Sequence, residues 1–437
     1  MMPAPHLFSW LRRGDEQASC RTALSRQPSL EDAVSEVVDQ LNAKGFGAAA
    51  RGEADLALVF SSTSYASDLP RLLPLLRSRL RSRHWLGAAG GGVVGTGASG
   101  TAHEVEQESA LSVMLLRLPG AELQLFGLDT DQLPDLDGDS RDWIDWVGAD
   151  PELADSMLLL VDPTCQAIND LISGLDYAFP GLAKVGGIAG PHSASHGSLL
   201  LDDRVVTGAV GCLIGGSWTI DPVVAQGCRP IGPVFEIEQA ERNVVLQLSR
   251  GDQQNTPVNC LQTILQTLNP AERELVRHSL FLGVARNSFN LAGGGGDAES
   301  TAFLVRNLIG VDPRNGAVAV AERLRVGQQV QFQLRDADAS RQELRQLLRN
   351  QAKASEPPLA GLLFACLGRG KGLYGEADGD VRIAQGEFPG LPMAGAFCNG
   401  EIGPVGGSTY LHGYTASWGF LVPKPDAVAS AEQPPEG

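Results

Sequence analysis

Leu359–Leu421 reads LAGLLFACLGRGKGLYGEADGDVRIAQGEFPGLPMAGAFCNGEIGPVGGSTYLHGYTASWGFL. An apolar run, LAGLLFACLG, leads into the charged turn RGKGLYGEADGD. A second apolar segment, LPMAGAFCNGEIGPVGG, precedes STYLHGYTASWGFL. Cys366, Arg369, Cys398, Asn399, Glu401 and His412 stand at the edges of segments whose other residues are apolar. Gly400 and its neighbouring glycines let the backbone approach a ligand or another backbone closely. Polar groups set among glycines at strand ends suit a small-molecule pocket.

Working outward, the same layout occurs twice more. LALVFSSTSY (56–65) is followed by a helical stretch, by HWLGAAGGGVVGTG (84–97) and by ALSVMLLRL (110–118). MLLLVDPT (157–164) is followed by a helical stretch, by AKVGGIAG (183–190) and by GAVGCLIGG (208–216). Leu56 to Gly87, Met157 to Gly186 and Gly361 to Gly395 are 31, 29 and 34 residues apart, about the length of one βαβ unit. The expected fold is therefore α+β, with mixed or antiparallel sheets covered by helices. Its building block is a repeated strand, helix, Gly-rich turn and strand.

The length of 437 residues implies two or three domains. A net charge of −17 argues against nucleic acid, whose binding rests on Lys and Arg neutralising phosphates. It disfavours anionic membranes as well. The seven cysteines form no CxxC or CxxH pair, so no metal site is expected. Cys165, Cys212 and Cys366 lie in or beside apolar runs and read as buried thiols. A reducing, cytoplasmic location fits. The first residues lack the pattern of a signal peptide, and no apolar run is long enough to span a bilayer.

Along the chain, Ser29 is positioned to cap a helix over 30–43. A second helix is expected over 69–81. Residues 110–118 and 123–126 read as a hairpin pair, and so does the segment HEVEQESALSV. The acidic run 128–152 lacks the register of an EF-hand loop and reads as a connecting segment. His192 and His196 lie among Pro, Ser and Gly, which argues for a loop without metal. Helices are expected at 258–268 and 270–278, and strands at 280–285, 303–310, 317–321 and 329–335. A turn at PRNG (313–316) and a long polar helix from Asp338 to Ser355 complete the pattern. LAGGGGDAES (291–300) reads as a flexible loop and the tail from 423 as disordered.

GLLFACLGRGKGLYGE followed by LPMAGAFCNGEIGPVGGSTYLHGYTAS resembles the C-terminal domain of the FIST family, the F-box and intracellular signal transduction proteins. FLVRNLIGVDPRNGAVAVAERLRVGQQVQFQLRDADAS is similar to the family's upstream sheet. LALVFSS, GAAGGGVVGTG and ALSVMLLRLPG resemble its N-terminal domain, and VGGIAG and GCRPIGPVFEI its junction. Ala88 stands where the family often has a cysteine. The resemblance implies a lead-in over 1–24, an N-terminal domain over 25–230, a C-terminal domain over 231–422 and a tail over 423–437. It implies an intracellular sensory module for small ligands such as amino acids, acting with a signalling partner.

From the residues, four readings stand side by side. In a binding module, Arg369 clamps a carboxylate. Glu401 and Asn399 receive an amino group, Ser61, Ser62 and Thr63 supply hydroxyls, and Gly91, Cys398 and Gly400 line the approach. Alternatively, Arg369 and Glu401 pair with each other and tie the loops together. In a thiol enzyme, Cys366 is the nucleophile with its pKa lowered by Arg369, and His412 is the base. A nucleotide site lacks the Walker lysine and the strand–loop–helix order. A protein-interaction adaptor without ligand is the fourth. None of these readings calls for a cofactor.

Overall fold

The computed structural model describes residues 18–43, 53–286, 303–354 and 356–424. The expected flexible loop at 291–300 and disordered tail lie outside the described residues, apart from the tail's first two positions, 423 and 424. The N-terminal half contains two units of identical element order. The first comprises β1 (Ser19–Ser25), α1 (Leu30–Ala43), β2 (Ala54–Ser62), α2 (Leu69–Arg77), β3 (Ser82–Gly90), β4 (Gly92–Thr96), β5 (Ala102–Glu106) and β6 (Leu111–Arg117). The second comprises β7 (Ala121–Leu128), α3 (Ser140–Val147), β8 (Ser156–Val161), α4 (Ile168–Ala178), β9 (Ala183–Ile188), β10 (Leu199–Leu201), β11 (Arg204–Val206) and β12 (Ala209–Gly216).

The third unit opens with β13 (Trp218–Ala225) and is then interrupted. The insertion holds β14 (Cys228–Pro230), β15 (Phe235–Glu241), β16 (Val244–Arg250), β17 (Gln253–Asn255), α5 (Pro257–Thr267), α6 (Pro270–Ser279), β18 (Leu280–Ala285), β19 (Phe303–Asp312), β20 (Ala317–Val320) and β21 (Gln329–Arg335). The unit resumes with α7 (Ala337–Ala354), β22 (Ala360–Cys366), α8 (Lys371–Tyr374), α9 (Gly379–Glu387), β23 (Met393–Cys398), β24 (Glu401–Val405), β25 (Ser408–His412) and β26 (Ala416–Pro423).

Each unit builds the centre of one six-stranded sheet. The orders are β1-β6-β2-β3-β10-β11, β7-β12-β8-β9-β24-β25 and β13-β26-β22-β23-β4-β5. In every sheet the fifth and sixth strands are a hairpin lent by another unit. The second unit lends to the first, the third to the second and the first to the third. Three matching backbone bonds close this cycle: Gly190 N–H to Ala89 O at 2.8 Å, Asn399 N–H to Ile188 O at 2.9 Å and Gly91 N–H to Phe397 O at 2.9 Å. The arrangement is a pseudo-threefold ring, with sheet pairing across the expected boundary at 230 and 231.

The parallel strand pairs fix the correspondence. Val59 pairs with Gly87, Leu159 with Gly186 and Leu363 with Gly395. A Cβ on any of these glycines would lie 1.8–1.9 Å from the partner's carbonyl oxygen, so only Gly fits. β2, β8 and β22 are buried on both faces, which makes their sequences run apolar without alternation. Leu56, Leu58, Phe60, Leu158, Leu160, Leu362 and Phe364 meet in one core enclosed by the three sheets. The intervening Val59, Leu159 and Leu363 face outward to the helices. On α1, Leu30, Ala33, Val34, Val37, Val38 and Leu41 form that buried face, and the Ser29 hydroxyl accepts the Asp32 N–H at its start.

The insertion is a separate closed barrel, β15-β16-β20-β19-β18-β21, with β21 pairing back onto β15. Closure leaves no free edge within that ring. Ile237, Val245, Leu248, Val284, Val330 and Phe332 fill it against Cys260 and Ile264 of α5.

Two expected hairpins are corrected. β6 pairs with β1 and β2, whereas β7 pairs with β12 in a different sheet. β5 pairs with β4, and the chain then leaves for β6 in the first sheet. Short connections here change sheets because each unit shares its strands with a neighbour. α2 also ends at Arg77, earlier than expected.

Candidate functional site

The threefold correspondence exposes what is particular to the third unit. Position by position, Ser62, Asp162 and Cys366 correspond at the C-terminal ends of β2, β8 and β22. Their backbone N–H groups make matching bonds to Ala110 O, Gly208 O and Thr415 O. The lent hairpins carry matched cross-strand pairs: Val93 with Val105, Leu199 with Val206, and Glu401 with His412. Two copies thus hold apolar pairs where the third holds a carboxyl and an imidazole.

Glu401 is fully buried and His412 is 3% exposed. Glu401 Oε2 accepts the Thr415 N–H at 3.1 Å, and Oε1 has no partner. Burial raises its pKa well above the ordinary carboxyl range, against the opposing pull of the Thr415 N–H and of Arg369. His412 Nε2 donates to Gly403 O at 3.0 Å, which leaves Nδ1 as an acceptor without a partner. Burial brings this imidazole down to about 4, so it is neutral at pH 7.

Cys366 and Cys398 are register partners on parallel strands. Burial, reinforced by Glu401, pushes the Cys366 thiol up to about 11. This reverses the expectation that Arg369 lowers it, because the neighbouring cation that acts on it is Arg335, and its effect is smaller. Cys398 is buried and also raised. Neither thiol presents a thiolate at pH 7, and the Nε2 of His412 is committed to Gly403.

Arg369 is fully buried. Its Nε and Nη2 bind Asp380 at 2.8 and 2.7 Å. Nη2 also reaches the Tyr374 hydroxyl at 2.6 Å and Ser340 Oγ at 3.0 Å, and Nη1 reaches Tyr414 O at 3.2 Å. Its ion pair is with Asp380 rather than Glu401, and its fork is occupied by protein groups. Asp380, Tyr374 and Ser340 escaped the sequence reading, since one acidic residue in GEADGD looks like any other.

Of the remaining expected residues, Asn399 is exposed, Gly400 is buried and Gly91 is half-buried at the ring of three backbone bonds. A Cβ at Gly91 would strike the Leu367 side chain. Ser61 is buried with its hydroxyl unpartnered, and Ser62 Oγ accepts the Ala110 N–H at 3.0 Å. The structure thus gathers Cys366, Cys398, Asn399, Gly400 and Glu401 around the strand ends of one unit. Ser61 and Ser62 hold the corresponding place in another. His192 bonds Ser198 Oγ and the Ala194 N–H. Among the described residues no three His, Cys, Asp or Glu side chains are grouped to hold a metal ion.

A second cluster borders the first. Glu104 on β5 is 2% exposed, and its Oε1 accepts the N–H groups of Asp380 and Val381 at 2.9 and 2.8 Å. A continuous path runs from Glu104 through Asp380 and Arg369 to Tyr414 O, one residue from the Thr415 N–H that binds Glu401.

Residues 55–250 match the FIST N domain and residues 257–404 match the FIST C domain. The chain belongs to the FIST family. FIST domains are linked to signal transduction and small-ligand sensing. An uncharacterized protein of Mycobacterium tuberculosis is 35% identical over 376 residues, covering 85% of this chain and 92% of the relative. An uncharacterized protein of Mycobacterium bovis is 36% identical over 323 residues, covering 73% and 79%. The FIST N match takes in Ser61, Ser62, Gly91 and Glu104. The FIST C match takes in Cys366, Arg369, Asp380, Cys398, Asn399, Gly400 and Glu401 and ends before His412. Among the described residues no helix is long and apolar enough to cross a membrane.

Proposed function

We propose that this FIST-family chain is a cytoplasmic sensory protein that binds a small polar ligand, such as an amino acid, and passes its state to a protein partner. The responsive site is the polar cluster of the third unit, with Glu401 and His412 as binding groups and Cys366, Cys398, Asn399 and Gly400 around them. The observation that carries this reading is the Glu401–His412 pair. It replaces apolar pairs of the two sister units, and each member keeps one polar atom without a partner. Burying such groups costs about 1–3 kcal/mol each, which a ligand offering both a donor and an acceptor would recover. Arg369 has a different part in this account: bound to Asp380, it holds the loop after β22 in place. A thiolate mechanism at Cys366 draws no support from a thiol raised to about 11.

The test is a thermal-shift screen of the full chain against amino acids and other small polar metabolites, with Glu401→Gln alongside. Ligand at 100 times its dissociation constant adds about 2.7 kcal/mol of stability. A rise in Tm for one chemical class, reduced in the variant, is the expected result. A flat screen on folded protein overturns the reading.

A further inference from the structure

A cavity of about 210 Å³ lies between β5 and the loop that leads into α9. Its titratable lining is Arg26, His103, Glu104, Glu106, Glu108, Lys371 and Asp378. We propose that this cleft is a second binding site, separate from the Glu401 cluster, for a small cationic amine whose ammonium group is received by Glu104.

Glu104 Oε1 is saturated by the first turn of α9, while Oε2 is buried and has no partner. Asp378, beside it, is already engaged: Oδ1 takes the Glu104 N–H at 2.7 Å and Oδ2 lies 3.1 Å from His103 Nδ1. Glu106 accepts the Lys371 N–H at 2.9 Å. The unpartnered acceptor beneath the cleft wall is therefore on Glu104.

Charge decides the class of ligand. Four carboxyl groups line the cleft against Arg26 and Lys371, and those two side chains are exposed at its rim. A cation gains from this excess, and an added carboxylate would meet Glu106 and Glu108. The threefold correspondence singles out the same residue. Val94 pairs with Glu104, whereas the sister pairs are Leu200 with Val205 and Ile402 with Leu411.

Proton linkage gives the site a signature. Burial first, then Asp380 and Asp378, raises Glu104 to about 8, so it is mostly protonated at pH 7. An ammonium beside it favours the carboxylate, and the displaced proton goes to the buffer.

The experiment is calorimetric titration of the full chain with methylammonium, 1,4-diaminobutane, glycine and acetate. It is run at pH 7 in phosphate and again in MOPS, whose ionisation heats differ. The amines should bind with heats that differ between buffers by the release of close to one proton. Glycine should bind more weakly than methylammonium, and acetate not at all. Glu104→Gln should weaken amine binding about tenfold and abolish proton release. Lys371→Ala, which removes a rim cation without touching the floor, should tighten it several-fold. Absence of amine binding, preference for glycine or acetate, or unchanged binding in Glu104→Gln overturns the proposal. Each of these outcomes leaves the Glu401 reading to be judged on its own screen.

Discussion

Arg369 and Asp380 hold each other twice, through Nε–Oδ2 at 2.8 Å and Nη2–Oδ1 at 2.7 Å, and both are fully buried. Removing one partner strands the other as a buried charge, which costs about 3–5 kcal/mol. Asp380→Ala and Arg369→Ala should each lower Tm sharply in a thermal melt. The double variant Arg369→Met with Asp380→Leu should lose less than the two single losses combined. Additive losses would contradict the pairing.

The three glycines of the parallel pairs give a second prediction. Gly395→Ala places a Cβ about 1.9 Å from Leu363 O, a clash with backbone that no rotamer relieves. Loss of folded protein is expected, with a cost above about 4 kcal/mol. Gly372→Ala meets nothing within 4 Å and should melt close to the wild type. Equal melts for the two variants would refute the close approach.

These glycines also show how far the sequence can be read. The intervals from Leu56 to Gly87, Met157 to Gly186 and Gly361 to Gly395 single out three structurally equivalent positions. Repetition was legible because both-face burial keeps β2, β8 and β22 apolar and close packing demands glycine. The ring was not legible, because a hairpin's choice of neighbouring sheet depends on contacts between units far apart in the chain. The site was half legible for the same reason. Glu401 and His412 stood out as polar residues in apolar surroundings, but their pairing is a matter of register. Arg369 stood out too, yet its partner is Asp380, and the surroundings of a buried arginine are not written in its neighbours.

Glu104 gives a pH prediction with a definite sign. Its folded pKa, about 8, lies above the unfolded value near 4.5, so the folded state binds the proton more tightly in between. Its contribution is present below about 4.5 and is lost as pH rises through 8. Glu104→Gln lacks that loss. The Tm of the variant relative to wild type should therefore climb between pH 5 and pH 8. His412 acts oppositely: its pKa falls to about 4, so its contribution is lost as pH drops from 6.5 towards 4. A variant-to-wild-type difference that is flat with pH would remove Glu104 from this role.

Cys366 supplies a chemical check on its burial beside the Glu401 charge. With its pKa raised to about 11, the thiol should react with iodoacetamide at pH 7 on the order of a hundredfold more slowly than an ordinary cysteine. Glu401→Gln removes a group that raises this pKa and should speed labelling, measured by peptide mass spectrometry. Fast labelling of the wild type would contradict the raised pKa.

The central claim is that a ligand engages the Glu401–His412 hairpin, and amide hydrogen exchange addresses it most directly. The full chain would be compared with and without the strongest ligand from the thermal screen. The account predicts slower exchange across residues 398–415, with the barrel over 235–335 unchanged. Protection confined to the barrel or to the Glu104 cleft, with 398–415 unaffected, would contradict it.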